Sequence, residues 1–228
     1  MIRIMGVLLM LLFCVPFAMG QNEMNIYFNE VEPNDESTDD QEFIELVGPA
    51  GTNLQGFVIV HYNGSESSNT PLWEFEIGEI TLPFDGTTAV DGTPLGYYVL
   101  AQASGDTSLV ANWDEILPSS YGLQNGADGL ILFKNDTLVQ ENVLDAVVWG
   151  GTGDLNVDDP GFVSTEVAGE ENTFLCVLPD DDGANTTLQL GDNVLSSNSS
   201  SWEQLPPTPG AVNHNQSGNN VALPVELA

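Results

Sequence analysis

Nine short apolar runs recur along this chain, and turn-forming residues separate them. The runs are Ile26–Phe28, Phe43–Val47, Phe57–Tyr62, Trp73–Ile77, Tyr97–Ala101, Leu130–Phe133, Leu138–Gln140, Ala146–Trp149 and Phe174–Leu178. Between them stand dipeptides that favour positive φ: Asn63-Gly64, Asp85-Gly86, Asp91-Gly92, Asn125-Gly126 and Asp182-Gly183. Many short strands with such punctuation are typical of a sandwich or barrel. We therefore predict an all-β protein, in which Leu109 to Leu117 is the single short helix candidate.

The stretch from Glu42 to Gly64 shows how side-chain parity separates architecture from chemistry. In a strand, Glu42, Ile44 and Leu46 share one face, whereas Phe43, Glu45 and Val47 share the other. The two glutamates therefore cannot converge on one substrate. We interpret this stretch as two strands and the corner that joins them.

The charge balance is extreme, because 34 Asp and Glu residues face only two Lys and Arg, for a formal net charge of −32. Binding to nucleic acid or to an anionic membrane depends on Lys and Arg, so the composition argues against both partners. Salt bridges cannot neutralise this excess of carboxylates. Cations must therefore relieve the self-repulsion, either as a diffuse cloud or as bound Ca²⁺.

The first twenty residues have the order of a secretory signal peptide. Arg3 forms a short positive region, residues 7–13 are apolar, and Ala18-Met19-Gly20 ends in small residues. We predict that residues 1–20 are removed, that the mature chain begins near Gln21, and that it is secreted or held at the cell surface. No later run is long enough to span a bilayer. Residues 214–228 are predicted to be a flexible tail or linker remnant.

The inventory of catalytic side chains is poor. Cys176 lies in an apolar run, where a small buried thiol is the ordinary interpretation, and only His61 and His214 could serve it as a base. His61 is itself in an apolar strand, where a single histidine is usually structural. We predict no catalytic residues and no enzymatic activity. The tryptophans could stack on sugars, but burial is the commoner fate of a tryptophan in a sandwich: Trp73, Trp113, Trp149 and Trp202.

One acidic cluster has the spacing of a calcium loop. Asp154, Asn156 and Asp158 stand at the alternate positions from which oxygen ligands wrap one ion. The pattern fails afterwards, since Asp159 replaces the turn glycine and Thr165 replaces the bidentate glutamate. These three residues are the candidate metal ligands, with a solvated acidic loop as the alternative. No other cofactor is expected.

Several pieces of sequence together resemble the lamin tail domain family in its bacterial secreted form. They are Asn29-Glu30-Val31, Glu42 to Leu46, Leu54 to Phe57, Gln124 to Leu130, Asp145 to Gly150 and Thr208 to Asn213. The resemblance implies one domain over residues 21–213, an immunoglobulin-like β-sandwich with enlarged loops and no accepted catalytic residues.

The resemblance also sets the expected class of function. We expect an exported, non-catalytic binding or adhesion module whose partner is an extracellular protein or polysaccharide. The alternatives are a structural surface or matrix protein, which would need self-association, and an accessory domain of a secreted nuclease or phosphatase. The ligand is not specified by the sequence.

Overall fold

The computed structural model describes residues 26–34, 40–63, 71–89, 92–103, 109–124, 128–139, 142–149, 175–177, 187–190, 202–214 and 216. The regular secondary structure of these residues is almost entirely β, as predicted. In the same residues there is no helix of the length and apolarity needed to cross a membrane. The eleven strands are β1 (Tyr27–Glu32), β2 (Phe43–Pro49), β3 (Val58–Asn63), β4 (Pro71–Glu76), β5 (Leu95–Gln102), β6 (Glu115–Leu117), β7 (Asp128–Phe133), β8 (Val143–Trp149), β9 (Leu175–Val177), β10 (Thr187–Leu190) and β11 (Trp202–Leu205).

The strands form two sheets. One has six strands in the order β11-β10-β1-β2-β5-β6, and the other has five in the order β4-β3-β7-β8-β9. Most neighbours are antiparallel, but β6 runs parallel to β5 and β9 runs parallel to β8. The corner predicted between residues 47 and 57 carries the chain from β2 in the first sheet to β3 in the second. The interpretation of Glu42 to Gly64 as two strands and a corner is therefore confirmed over its described residues.

A shared core joins the two sheets. Its members come from both, for example Phe28, Ile44 and Leu46 on β1 and β2, and Leu132 and Val147 on β7 and β8. A hydrogen bond from backbone to side chain reinforces the contact, since the amide of Phe28 donates to Asp145 Oδ2 over 2.8 Å. This arrangement is compatible with a β-sandwich.

The opposite faces of both sheets are also buried. A second cluster covers the five-stranded sheet with Val60, Ile131 and Phe133, and a third covers the six-stranded sheet with Phe43 and Val99. Strands that are buried on both faces read as continuous apolar runs rather than as alternating ones. This explains why the runs near β3 and β7 are so prominent in the sequence.

Two local predictions are wrong. Residues 109–117 form bends and turns that lead into β6, not a helix. Leu138 and Val139 belong to the connection between β7 and β8 instead of a strand, because Asn135 Oδ1 accepts the amide of Thr137 and fixes a turn there. The sequence does not predict strands β6, β10 and β11, since each is short and its apolar residues are interrupted or preceded by polar ones.

Candidate functional site

A pair of buried glutamates lies on the face of the six-stranded sheet that points away from Ile44 and Leu46. Glu30 on β1 and Glu45 on β2 are direct cross-strand partners, and both side chains are fully buried. Like charges directly opposite each other destabilise a sheet. Surrounding groups must therefore stabilise this pair.

Three of the six hydrogen-bond donors to this pair come from one part of the chain, which we call the closing segment (Pro206 to His214 together with Gln216). Thr208 donates to Glu30 twice, from its amide to Oε1 over 2.9 Å and from its hydroxyl to Oε2 over 2.8 Å. The amide of Gly210 donates to Glu45 Oε2 over 2.6 Å. The closing segment thus covers both carboxyl groups and supplies donors to each.

The conformation of the closing segment follows from its sequence. Pro209 and Gly210 occupy the middle of a turn that the amide of Ala211 closes on the carbonyl of Thr208 over 3.0 Å. Gly210 has a φ of 74°, which a type II turn requires at this position and which glycine adopts without strain. A Cβ atom at Gly210 would also lie 2.9 Å from the Cβ of Asn112. Glycine therefore both permits the turn and allows its close packing.

Strand β10 adds donors to Glu30 from the other side. The hydroxyl of Thr187 and the side-chain amide of Gln189 both donate to Glu30 Oε1. Gln189 is itself held by the closing segment, because it donates to the carbonyl of Pro206 and accepts from the amide of His214. Glu30 consequently receives four donors from three residues.

Asn29 and Asn213 complete the network around Glu45. Asn29 lies at a bulge in β1, and its Nδ2 donates to Glu45 Oε1 over 2.6 Å. Asn213 Nδ2 donates to the backbone carbonyls of Asn29 and Leu190, over 2.8 and 2.9 Å. The bulge turns the Asn29 side chain toward Glu45, and the two asparagines tie β1 and β10 to the closing segment.

Burial shifts the acid–base equilibrium of this pair. Desolvation raises the pKa of Glu30, and its hydrogen bonds oppose that shift. Desolvation and the nearby charge of Glu30 raise the pKa of Glu45 well above its usual value, while the bonds from Asn29 and Gly210 lower it only in part. The protonated form is therefore favoured at this pair more than at an exposed carboxyl group.

A second buried polar group lies in the five-stranded sheet. His61 Nε2 is 2.9 Å from Asp128 Oδ2, and both side chains are almost completely buried. The imidazole lies between two indoles, with its centroid 5.0 Å from that of Trp73 and 5.8 Å from that of Trp149. His61 is therefore enclosed in the protein interior, and its structural role stays a prediction.

The indoles beside His61 anchor residues 121–124. Trp73 Nε1 donates to the carbonyl of Gly122, and Trp149 Nε1 donates to that of Gln124. Glu42 Oε2 accepts the amide of Leu123 over 2.8 Å. Glu42 and Glu45 therefore serve different partners on opposite faces, so the parity prediction is confirmed.

Strand β4 is an edge strand that, among the described residues, pairs only with β3. Its residues alternate, so that Trp73 is buried whereas Leu72, Glu74 and Glu76 are exposed. Glu74 is near the buried Tyr62, whose pKa is raised to about 12, first by burial and then by this carboxylate. This edge presents negative charge and one exposed leucine to solvent.

The candidate sites from the sequence have different outcomes. Asp154, Asn156 and Asp158 lie outside the described residues, so the calcium loop stays a prediction, as does the signal peptide over residues 1–20. Of the predicted tail, residues 214–228, only His214 and Gln216 are described, and they are hydrogen-bonded to Gln189 and Asn29. Only the backbone of Cys176 is described, in β9. Trp73, Trp149 and Trp202 are buried, whereas Trp113 is 42 % exposed. Within the described ranges, no group of three or more His, Cys, Asp or Glu residues could hold a metal ion.

The sequence analysis does not predict that Glu30 lies beside Glu45 or that His61 lies beside Asp128. For the glutamate pair, both contributing stretches, Asn29-Glu30 and Thr208 to Asn213, are among the pieces that resemble the lamin tail domain family. Nothing in the sequence indicated that these two stretches meet. No protein-family model, curated protein or solved structure matches this chain.

Proposed function

We propose that this chain is an exported, non-catalytic binding or adhesion module of lamin-tail type, built on an immunoglobulin-like β-sandwich. The strand order supports the proposed fold type. Immunoglobulin sheets have the orders A-B-E-D and G-F-C, with C′ added beside C in variable domains. The orders β1-β2-β5 and β4-β3-β7-β8 follow A-B-E and C′-C-F-G in chain order and pairing. The parallel strand β6 beside β5 departs from this scheme.

The fate of the polar side chains supports a non-catalytic role. In the described part of the chain, Glu30, Glu45 and Asp145 are fully buried and bonded to backbone or amide groups that hold strands together. General acid–base catalysis requires a carboxyl group within hydrogen-bonding reach of a substrate. These three carboxyl groups are better placed to hold the fold than to reach a substrate.

The exposed edge of β4 is the observation that carries the binding proposal. An open edge offers unpaired backbone groups, and extended segments of other proteins bind to such edges by adding a strand. Glu74 and Glu76 would repel a second copy of this acidic chain and attract a segment that carries Lys or Arg. The proposed ligand is accordingly a basic, extended region of an extracellular protein.

The test uses a lysine-rich peptide of alternating Lys and Val as the probe, with a Glu-Val peptide of equal length for comparison. We expect the mature protein to bind the basic peptide and to lose affinity as NaCl rises, because exposed charges are screened within a Debye length. Replacing Glu74 and Glu76 together by Gln should weaken binding about tenfold, since each lost rim charge costs roughly 0.5–1 kcal/mol. Replacing Asp136 and Glu203 by Asn and Gln is the matched control, which should leave the affinity unchanged.

Other outcomes would redirect the proposal. If the control variant lost as much affinity as the Glu74 and Glu76 variant, total charge, and not the β4 edge, would select the peptide. Self-association at rising protein concentration in analytical ultracentrifugation would favour the structural or matrix role. Mass spectrometry of secreted protein tests export, for which we expect an N-terminus at or beside Gln21.

A further inference from the structure

We propose that the closing segment is a pH-sensitive latch, which is closed while Glu30 and Glu45 together hold a proton and opens as that proton is lost. The proposal does not depend on the binding function. It rests on the placement of two cross-strand carboxyl groups beneath a segment that both covers them and donates to them.

The first step is the lack of a compensating positive charge. Lys134 is the only Lys or Arg in the described residues, and it is exposed at the end of β7 in the other sheet. Two carboxylates without a cation, both removed from water, are much less stable than one carboxylate beside one carboxylic acid. The closed arrangement thus favours a shared proton.

Neighbouring groups act in the same direction. Asp114 accepts the amide of Val99 on the adjacent strand, and its charge further disfavours a second negative charge at Glu45. Tyr97 also interacts electrostatically with Glu45. Among the described residues, the other titratable groups on this face or in the closing segment are Glu32 on β1, Tyr27 on β1, Glu203 on β11 and His214. None of these groups brings a permanent positive charge to the pair.

The second step identifies the element that moves. Strands β1 and β2 pair in an antiparallel ladder that continues on both sides of the bulge at Asn29, so the two carboxyl groups cannot separate without unfolding the sheet. The closing segment instead reaches the pair through the Thr208 amide and hydroxyl and the Gly210 amide. Lifting this segment would let water reach both carboxyl groups, which removes the desolvation that raises their pKa values. Opening is therefore the least costly way to accommodate the second charge.

The sign of the pH dependence follows from the difference between the pKa values of the pair in the closed and open states. The pKa is raised when the latch is closed and ordinary, about 4.3, when it is open. The closed state is fully favoured below the ordinary value and loses its advantage as the pH rises toward the raised value. For one linked proton, the opening equilibrium constant grows at most about tenfold per pH unit in this window and then becomes constant.

Amide hydrogen exchange measured by NMR between pH 5 and pH 8 tests the latch. The reporters are the amides of Thr208 and Gly210, and their rates are corrected for the intrinsic pH dependence of exchange. We expect their opening constants to rise by a factor of ten or more over this range. The amides of Val60 and Leu132, in the middle of the other sheet, should show no such rise.

Substitutions test whether the pH dependence of exchange comes from Glu30 and Glu45 or from the overall charge of the protein. Glu45→Gln removes one titratable carboxyl group and should flatten the pH dependence of exchange at Thr208 and Gly210. If the Glu45→Gln protein does not fold, Glu30→Gln is measured in its place. Glu203→Gln is the matched control, since Glu203 lies across from Gln189 but is exposed, and it should keep the wild-type slope. The latch is wrong if wild-type opening constants change less than twofold from pH 5 to pH 8. It is equally wrong if the folded Gln variant retains the full slope.

Discussion

Glu45 and Glu74 are the same residue type on central and edge strands of one molecule, and their surroundings are opposite. Glu45 is buried on β2 and accepts hydrogen bonds from Asn29 and Gly210, while Glu74 is exposed on β4 near the buried Tyr62. Removing Glu45 would leave buried donors without an acceptor, which costs more than the bond itself contributes. Removing Glu74 would leave only water in its place. The comparison teaches that the net charge of this protein reflects its exposed carboxylates, whereas the fold depends on a few buried polar groups.

The largest effect is expected from Asn213→Ala, which removes the side chain that joins β1, β10 and the closing segment. The change leaves the carbonyls of Asn29 and Leu190 without this donor in a buried site. We expect the free energy of unfolding in urea to fall by about 3 kcal/mol. Asn53→Ala is the control, because Asn53 makes one exposed turn bond, and it should cost about 0.5 kcal/mol. Equal losses in the two variants would contradict the distinction between buried and exposed polar groups.

A smaller loss is expected from Asp128→Ala, which leaves His61 buried between the indoles of Trp73 and Trp149 without its carboxylate. The expected cost is about 2 kcal/mol, since a buried polar group loses its partner. Chemical denaturation gives the free energy, and tryptophan fluorescence should shift because two of the neighbouring rings are indoles. Asp136→Ala, an exposed change in the β7–β8 connection, should alter neither quantity. A fluorescence shift of the same size in Asp136→Ala would indicate a nonspecific effect.

Added salt screens the repulsion between exposed carboxylates without any substitution. The Debye length falls from about 30 Å at 0.01 M to about 3 Å at 1 M salt, so diffuse screening should raise the melting temperature smoothly. We expect millimolar CaCl₂ at matched ionic strength to add nothing further. A gain of several degrees with calcium alone, abolished by Asp154→Ala together with Asp158→Ala, would instead establish the calcium loop by mass action.

The smallest effect on stability is expected at the edge itself. Replacing Glu74 and Glu76 by Thr should change the free energy of unfolding by less than about 0.5 kcal/mol, because both side chains are exposed. Aggregation should nevertheless increase, since charged residues on an edge strand oppose pairing between copies. Light scattering over several days measures this, with Asp136→Asn and Glu203→Gln as a charge-matched control. Equal scattering by the two proteins would show that edge charge has no special role.

The all-β class and most central strands could be predicted because their apolar runs are long enough to be recognised. The spacing of Glu42 and Glu45 was sufficient to predict that their side chains lie on opposite faces. The short strands β6, β10 and β11 could not be predicted, since their polar residues leave no continuous apolar run, whereas the equally short β9 is wholly apolar. The contacts of Glu30 and His61 depend on pairing between distant strands, and a single sequence contains no direct signal for such pairing.

The bonds between Asn29 and Asn213 join residues that are 184 positions apart in the chain. Contacts of this range must close a very long loop before they contribute anything, and proteins dominated by them fold slowly. The first strand therefore lacks part of its final environment until Asn213 has been synthesised. During that interval, β1 can pair with β2, but Glu30 and Glu45 remain hydrated and the sheet stays open on one face. The environment of β1, the first of the described strands in the chain, should accordingly be completed last.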